Sequence, residues 1–162
     1  ADLFRHRAHA RDRRPQLPSV LRGAESALEC LLLRRGVGGR CPGSWETVHG
    51  HIEAGERPAE AAARELEEET GLTPVQLYNV SRVESFYQHR IDEVALVPVF
   101  AAFVQVSAAV RLGSEHDHFE WLSPAAAQSR FAWPRERRAL EDILALFRGG
   151  HAGAIDDVLR VC

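Results

Sequence analysis

The chain has 162 residues, 45% apolar and 27% charged, with a formal net charge of −3. That length carries one compact domain with a real core, and the mild acidity argues against a nucleic-acid scaffold, which needs a broad basic field. No apolar run approaches the roughly 18–20 residues of a membrane span, and no signal-peptide pattern is visible; three cysteines (Cys30, Cys41, Cys162) at no metal-ligand spacing fit a reducing cytoplasm.

Residues 1–24 form a basic leading segment with Arg5, Arg7, Arg11, Arg13, Arg14 and Arg22. The pattern predicts a first strand over 1–7 and then a polar loop, with a basic arm over a nucleotide as the functional alternative. Residues 26–35 (SALECLLLRR) are apolar and predict a strand ending in Arg34 and Arg35. Those two, with Arg40, are candidate phosphate contacts, although strand-end arginines are also plain surface residues. A Gly/Pro-rich loop follows over 36–44 and leads through Trp45-Glu46-Thr47-Val48 into the most distinctive stretch of the chain.

Gly50-His51-Ile52-Glu53-Ala54-Gly55 reads as a glycine-bounded loop. Pro58 suits a first helical position, AEAAARELEEE is rich in strong helix formers, and Gly71 is a natural stop, so a helix is predicted between them. On that helix Glu65, Glu68 and Glu69 fall at i, i+3 and i+4 and share one face, leaving Ala61, Ala62 and Leu66 to the core. Three like charges on adjacent turns repel, and the arrangement makes sense when a cation neutralises them. Carboxylate oxygens suit a hard divalent ion, and Mg²⁺ is usually held by a few carboxylates plus substrate phosphates. A solvated acidic face is the bland alternative for the cluster taken alone.

Residues 76–88 and 93–105 predict two long strands, with His89-Arg90-Ile91-Asp92 as the hairpin turn. In the first, Tyr78, Val80 and Phe86 alternate with Leu77, Val83 and Tyr87. The second is apolar on both faces and is predicted to be central, with Pro98 demanding a bulge or an edge. Residues 114–122 (SEHDHFEWL) predict an exposed loop, carrying His116 and His118, that runs into a short strand. A short helix starts at Ser123-Pro124. Pro134 opens a longer one in which Leu140, Ile143, Leu144 and Phe147 make a core-facing stripe. A helical tail over 149–162 completes a single domain whose core spans 25–148.

Read as fixed positions, the distinctive stretch is Gly50, five residues, Glu56, seven residues, then Arg64-Glu65-Leu66-x-Glu68-Glu69-x-Gly71-Leu72. Nine fixed positions in 23 residues should arise by chance on the order of once in a billion windows. The stretch resembles the Nudix box, GX5EX7REUXEEXGU with U an aliphatic residue, and matches it at every fixed position. The resemblance implies an α/β/α sandwich, with the box helix and the C-terminal helices packed on a mixed sheet. It also implies hydrolysis, with Mg²⁺ or Mn²⁺, of a nucleoside diphosphate linked to another moiety, by water attacking phosphorus.

The same resemblance assigns Glu65, Glu68 and Glu69 as metal-binding, catalytic carboxylates, and Arg64 and Glu56 as an ion pair holding loop against helix. It makes the main-chain carbonyl of His49 a further metal ligand. Here the chain departs from the common pattern, reading Val48-His49-Gly50 where most members read Pro-Gly-Gly. A backbone angle open only to glycine would be costly for His49. His49 and His51 are also candidates for touching phosphate or base. Glu115 matches the extra ligand or general base of related hydrolases, with Glu120 in reserve. Tyr87, 16 residues beyond Gly71, matches a tyrosine of the diadenosine polyphosphate subgroup. The tail HFEWLSPAAAQSRFAWPRERRALEDI is similar to that of enzymes acting on nucleoside or pterin triphosphates. A small-molecule nucleotide of that kind is therefore the expected substrate, with diadenosine polyphosphates or nucleotide sugars as alternatives and a silent nucleotide sensor as the non-enzyme reading. No nucleic-acid or membrane partner is expected, and a homodimer, common among relatives, is left open.

Overall fold

Alternation of apolar side chains to both sides of the strands decides the architecture. In strand β2 (Glu29–Arg35), Leu31 and Leu33 join one buried cluster while Cys30 and Leu32 join the other. The computed structural model describes residues 14–162; the strand predicted over 1–7, with Arg5, Arg7, Arg11 and Arg13, lies outside the described residues.

Before β2 stands β1 (Arg14–Arg22); after it come β3 (Trp45–Glu46), β4 (Gly50–Ile52), β5 (Gln76–Gln88), β6 (Glu93–Phe103) and β7 (His116–Leu122). The sheet runs β3-β2-β1-β6-β5, with β4 paired to β1 and β7 to β2. Strands β1 and β6 run parallel and the other pairs antiparallel, so the sheet is mixed. Helix α1 (Pro58–Thr70) covers one face, burying Ala62 and Leu66 against Val20, Leu31, Leu33 and Phe100. Helices α2 (Pro124–Arg130) and α3 (Pro134–Leu146) cover the other. There the predicted stripe of Leu140, Ile143, Leu144 and Phe147 packs on Leu21, Leu32, Val99 and Ala101. Burying each large aliphatic side chain contributes about 1.5–3 kcal/mol. A short helix, α4 (Asp156–Leu159), closes the chain. The result is the expected α/β/α sandwich.

Three predicted loops turn out to be strand. The polar loop expected after residue 7 is β1 from Arg14 onward, with Val20 and Leu21 fully buried in the sheet. Two prolines near its start, Pro15 and Pro18, disguise it. Gly50–Ile52, read as loop, is β4, zipped to Arg14–Gln16 of β1. The third is the start of β7 at His116. In the opposite direction, the strand predicted from residue 26 begins at Glu29, after a 3₁₀ turn over Glu25–Ala27.

The Pro98 conflict resolves both ways. Strand β6 gains its second neighbour, β1, only from Val99 onward, so Pro98 stands where one side of the strand carries no ladder among the described residues. Across from it β5 bulges, Asn79 facing Phe100 and Val83 facing Pro98. Asn79 Oδ1 accepts the Ser81 N–H at 2.9 Å and holds Ser81 at a φ of 56°. Among the described residues no helix is long and apolar enough to cross a membrane.

All three cysteines are free, with Cys41 and Cys162 exposed and Cys30 buried. Burial pushes the Cys30 thiol up to about 12, aided by the neighbouring Glu29 charge. Iodoacetamide at pH 8 should therefore label Cys41 and Cys162 in the native protein, and Cys30 only after denaturant. Native-state labelling of Cys30 at a comparable rate, seen by peptide mass mapping, would contradict this burial.

Candidate functional site

Helix α1 starts at Pro58 and stops at Gly71, whose φ of 68° is left-handed. Its last carbonyls have no partners within the helix. A later loop supplies them, since the Arg111 amide donates to Thr70 O (2.8 Å) and the Gly113 amide to Glu69 O (2.9 Å). The approach is close enough that a Cβ on Gly113 would stand 3.1 Å from Glu68 O. This docking brings residues 114–116 over the C-terminal turn of α1.

At the other end, Arg64 ties the preceding loop to the helix. Its Nε and Nη2 donate to the two oxygens of Glu56 at 2.8 and 3.0 Å, and Nη2 also donates to the His51 carbonyl at 2.8 Å. Its Nη1 reaches Glu65 Oε1 (3.0 Å) and Glu68 Oε2 (3.1 Å). The Arg64 hydrogen bonds hold the Glu56 carboxyl below its usual range, and the Glu53 amide adds to this. The His51 amide donates to Glu65 Oε1 at 3.0 Å, so loop and helix are joined from both directions.

The three carboxylates on this face differ in exposure. The Glu68 side chain is 59% exposed, that of Glu65 15%, and that of Glu69 11%. Glu69 Oε2 is buried without a hydrogen-bond partner. Burial pushes its carboxyl up to about 9, and the charges of Glu65, Glu115 and Glu46 push the same way against Arg35. Around it stands a charged chain. Arg35 pairs with both Glu46 and Glu115, and Glu46 meets His116 Nε2 at 3.2 Å. Burial opposes ionisation of Glu46, but the His116 hydrogen bond and the His49 and Arg35 charges hold its pKa below the usual range.

No three His, Cys, Asp or Glu side chains among the described residues converge as a ready-made ligand set. Glu65 and Glu68 both accept from Arg64 Nη1. The residues nonetheless fit a hard divalent cation: Glu69 offers a largely buried carboxylate with no hydrogen bond among the described residues, only its Oε2 facing His116, and Glu65 stands one turn back on the same face.

The expected site residues fall into two groups. Glu56, Arg64, Glu65, Glu68, Glu69 and the His51 main chain line one face of α1, and Arg35 and Glu115 stand near Glu69 at its C-terminal end. The others point elsewhere. The His49 carbonyl was the expected ligand and its ring a candidate for phosphate or base, but the ring turns to Glu136 of α3, with Nε2 2.7 Å from Oε1. Its φ is not positive, so no glycine-only angle is required there. Arg34 pairs with Asp117 at 2.7 Å. Tyr87, 57% exposed, donates to Asp92 in the hairpin turn. Glu120 pairs with Leu32 across the ladder and so faces α2, away from Glu69; it bonds Arg130 at 3.4 Å. His118 stacks edge-on against Trp45.

His116, expected in an exposed loop, is buried. A bulge at Asp117 explains it, because Arg34 faces His118 while Arg35 faces His116. Strict alternation would put His116 on the side of His118 and Glu120; the extra residue turns it towards α1. Glu46 and Glu136, both buried, also went unmarked in the sequence. Glu136, set between Arg135 and Arg137, reads locally as part of a solvated face, and Glu46 stands between Trp45 and Thr47, so no local signal marked either.

Comparison with known proteins fits this geometry. The family profile of the NUDIX domain matches residues 13–143. The chain is 38% identical over 130 residues to an octanoyltransferase of Myxococcus xanthus, covering 76% of this chain and 34% of that protein. It is 28% identical over 90 residues to the nucleoside triphosphatase NudI of Escherichia coli, covering 51% of this chain and 64% of that one. The chain thus spans less than two thirds of the curated relatives named here. Among solved structures, a MutT protein from Methanosarcina mazei is 31% identical with a TM-score of 0.60, covering 79% of this chain and 92% of that one. An Ap4A hydrolase of Caenorhabditis elegans has a TM-score of 0.69 at 24% identity, covering 83% and 97%.

The raised Glu69 pKa has a stability consequence in the metal-free protein. Between its ordinary value of 4.5 and about 9, the folded chain keeps a proton that the unfolded chain has released. Stability therefore falls as pH rises through that window. Glu69→Gln should flatten this dependence and, at pH 8 without metal, stabilise the fold by about 1 kcal/mol, or roughly 2–4 °C in Tm. Equal or lower Tm for the variant at pH 8, with the same pH slope as wild type, would show that Glu69 is not held protonated.

Proposed function

The chain belongs to the Nudix family, and from that membership we propose that it is a divalent-metal-dependent pyrophosphohydrolase acting on a nucleoside or pterin triphosphate. The observation that carries the reading is the carboxylate face of α1, where the largely buried Glu69 carboxylate, without a hydrogen bond among the described residues, stands beside Glu65 and Glu68, and Arg64 clamps the loop in front. Glu65, Glu68 and Glu69 would hold Mg²⁺ or Mn²⁺, with the His49 carbonyl as a further donor. When bound, such an ion offsets phosphate charge and acidifies a coordinated water.

The rest of the chemistry falls to the chain's own groups. A water oxygen bonds to phosphorus, the bridging P–O bond breaks, and a carboxylate takes the water's proton. Glu115 is the proposed base, supported by its Arg35 tether and its place over the end of α1. Of the expected substrate contacts Arg34, Arg35, Tyr87 and His51, Arg35 and His51 stand beside the carboxylates and are the ones proposed. Of these, Arg35 alone is ion-paired to the carboxylates around Glu69. The products are a nucleotide monophosphate and pyrophosphate. The nucleoside triphosphatase relative supports the triphosphate choice, and three free cysteines suit a reducing cytoplasm.

The test is phosphate release, with and without Mg²⁺ and with pyrophosphatase added. The panel holds dNTPs, dihydroneopterin triphosphate, ADP-ribose, NADH, CoA and diadenosine polyphosphates. A triphosphate should stand above the rest and only with metal. Glu68→Gln should lower its turnover by about 10²-fold or more while leaving the circular dichroism unchanged. Full activity in that variant, or equal activity without metal, would sink the assignment.

A further inference from the structure

The His116 ring lies between two carboxylates, 6% exposed. Its Nε2 is 3.2 Å from Glu46 Oε1, and Arg35 pairs with the same Glu46 oxygen. On the other side of the ring, Nδ1 is 3.8 Å from Glu69 Oε2. Among the described residues neither Nδ1 nor Oε2 has a hydrogen-bond partner. Leaving two buried polar atoms unpaired costs free energy that a direct bond between them would recover. A movement of about 1 Å closes a direct bond.

We propose that His116 is a positioning residue for Glu69. Its Nδ1 takes Glu69 Oε2, and the Arg35–Glu46 pair fixes the ring from behind. One Glu69 oxygen is thereby committed to the protein and the other is left for a divalent ion. Two features of the backbone build this contact. The bulge at Asp117 turns His116 towards α1, and the Gly113 amide on Glu69 O holds the loop against the helix end. This assignment rests on the reading of Glu65, Glu68 and Glu69 as the metal site. Neighbours that hydrogen-bond a ligating carboxylate are worth roughly 10- to 100-fold in metal affinity.

The experiment titrates Mn²⁺ into substrate-free protein and reads free Mn²⁺ by electron paramagnetic resonance. It compares wild type with His116→Asn, His116→Gln and His116→Ala. The asparagine amide can stand where Nδ1 stands, towards Glu69, while the glutamine amide can stand where Nε2 stands, towards Glu46. The Asn variant should bind Mn²⁺ within about threefold of wild type, and the Gln and Ala variants roughly tenfold or more weakly. In Mg²⁺-dependent turnover, Gln should raise the Mg²⁺ needed for half-activation and leave the substrate KM within about twofold. If the Gln variant binds Mn²⁺ within twofold of wild type, the positioning role is overturned and the metal-site reading stands. If wild type takes up no Mn²⁺, both fall together.

Discussion

Arg64 is the contact on which the site depends. It faces Glu56, Glu65 and Glu68 and the carbonyl of His51 at once, with distances of 2.8 to 3.1 Å. Only a planar fork of five donors can do this; a lysine ammonium at the same place could satisfy one direction of the set. Three carboxylates on one helical face would otherwise repel by some tenths of a kcal/mol per exposed pair, and by more as burial increases. The same guanidinium pulls the loop down. The turn closes on itself as well, Glu53 and Glu56 exchanging backbone and side-chain bonds at 3.0 and 2.9 Å. Charge relief on the helix and placement of the loop are therefore one interaction.

A second constraint comes from the other end of the helix. Its orphan carbonyls at Glu69 and Thr70 are met by backbone amides of Gly113 and Arg111, so the loop that follows is delivered without any special side chain. That loop buries Glu69 and not Glu68, although the two are adjacent in sequence. The helix thus presents three chemically identical groups in different states. Glu68 stays in water, Glu65 is held by Arg64 and the His51 amide, and Glu69 is pushed towards its protonated form. Stability alone would not keep Glu69, since its burial costs free energy that nothing in the metal-free fold returns. On the proposed reading a cation at the Glu69 oxygen turned away from His116 would offset the cost.

How much of this was legible in the residues depended on whether the signal was local. The box helix was, because Pro58, the alanines and Gly71 each act within one turn of themselves. The α3 stripe was, for the same reason of periodicity. Strand β1 was hidden because its prolines and arginines read as polar loop, while its burial comes from β2 and β6, which no local window contains. His116 was hidden by a single bulged residue: alternation predicts its side from its neighbours, and the bulge at Asp117 inverts the answer. The pairing of Glu46 with Arg35 and His116 joins β3, β2 and β7, and only the sheet order brings them together. Glu65, Glu68 and Glu69 could be read as a cation site from spacing alone, but their unequal burial could not.

The departure at His49 shows how a family position can change without loss of the local backbone. A glycine there would leave the segment before β4 held by Thr47 alone, through its hydroxyl on the Pro18 carbonyl and its amide on Glu136. His49 instead reaches Glu136, which also accepts the Thr47 amide at 3.0 Å. Glu136 is 0% exposed, so its carboxylate exists in the core only because these groups receive it. Exchange at either position alone would leave a buried charge or a buried donor unpaired, so residues 49 and 136 are energetically a single choice. The segment leading into the box is therefore tied to α3 by side-chain chemistry, 87 residues away in sequence. That helix lies on the opposite face of the sheet from α1, so one hydrogen-bonded carboxylate joins the far layer to the backbone beside the carboxylates.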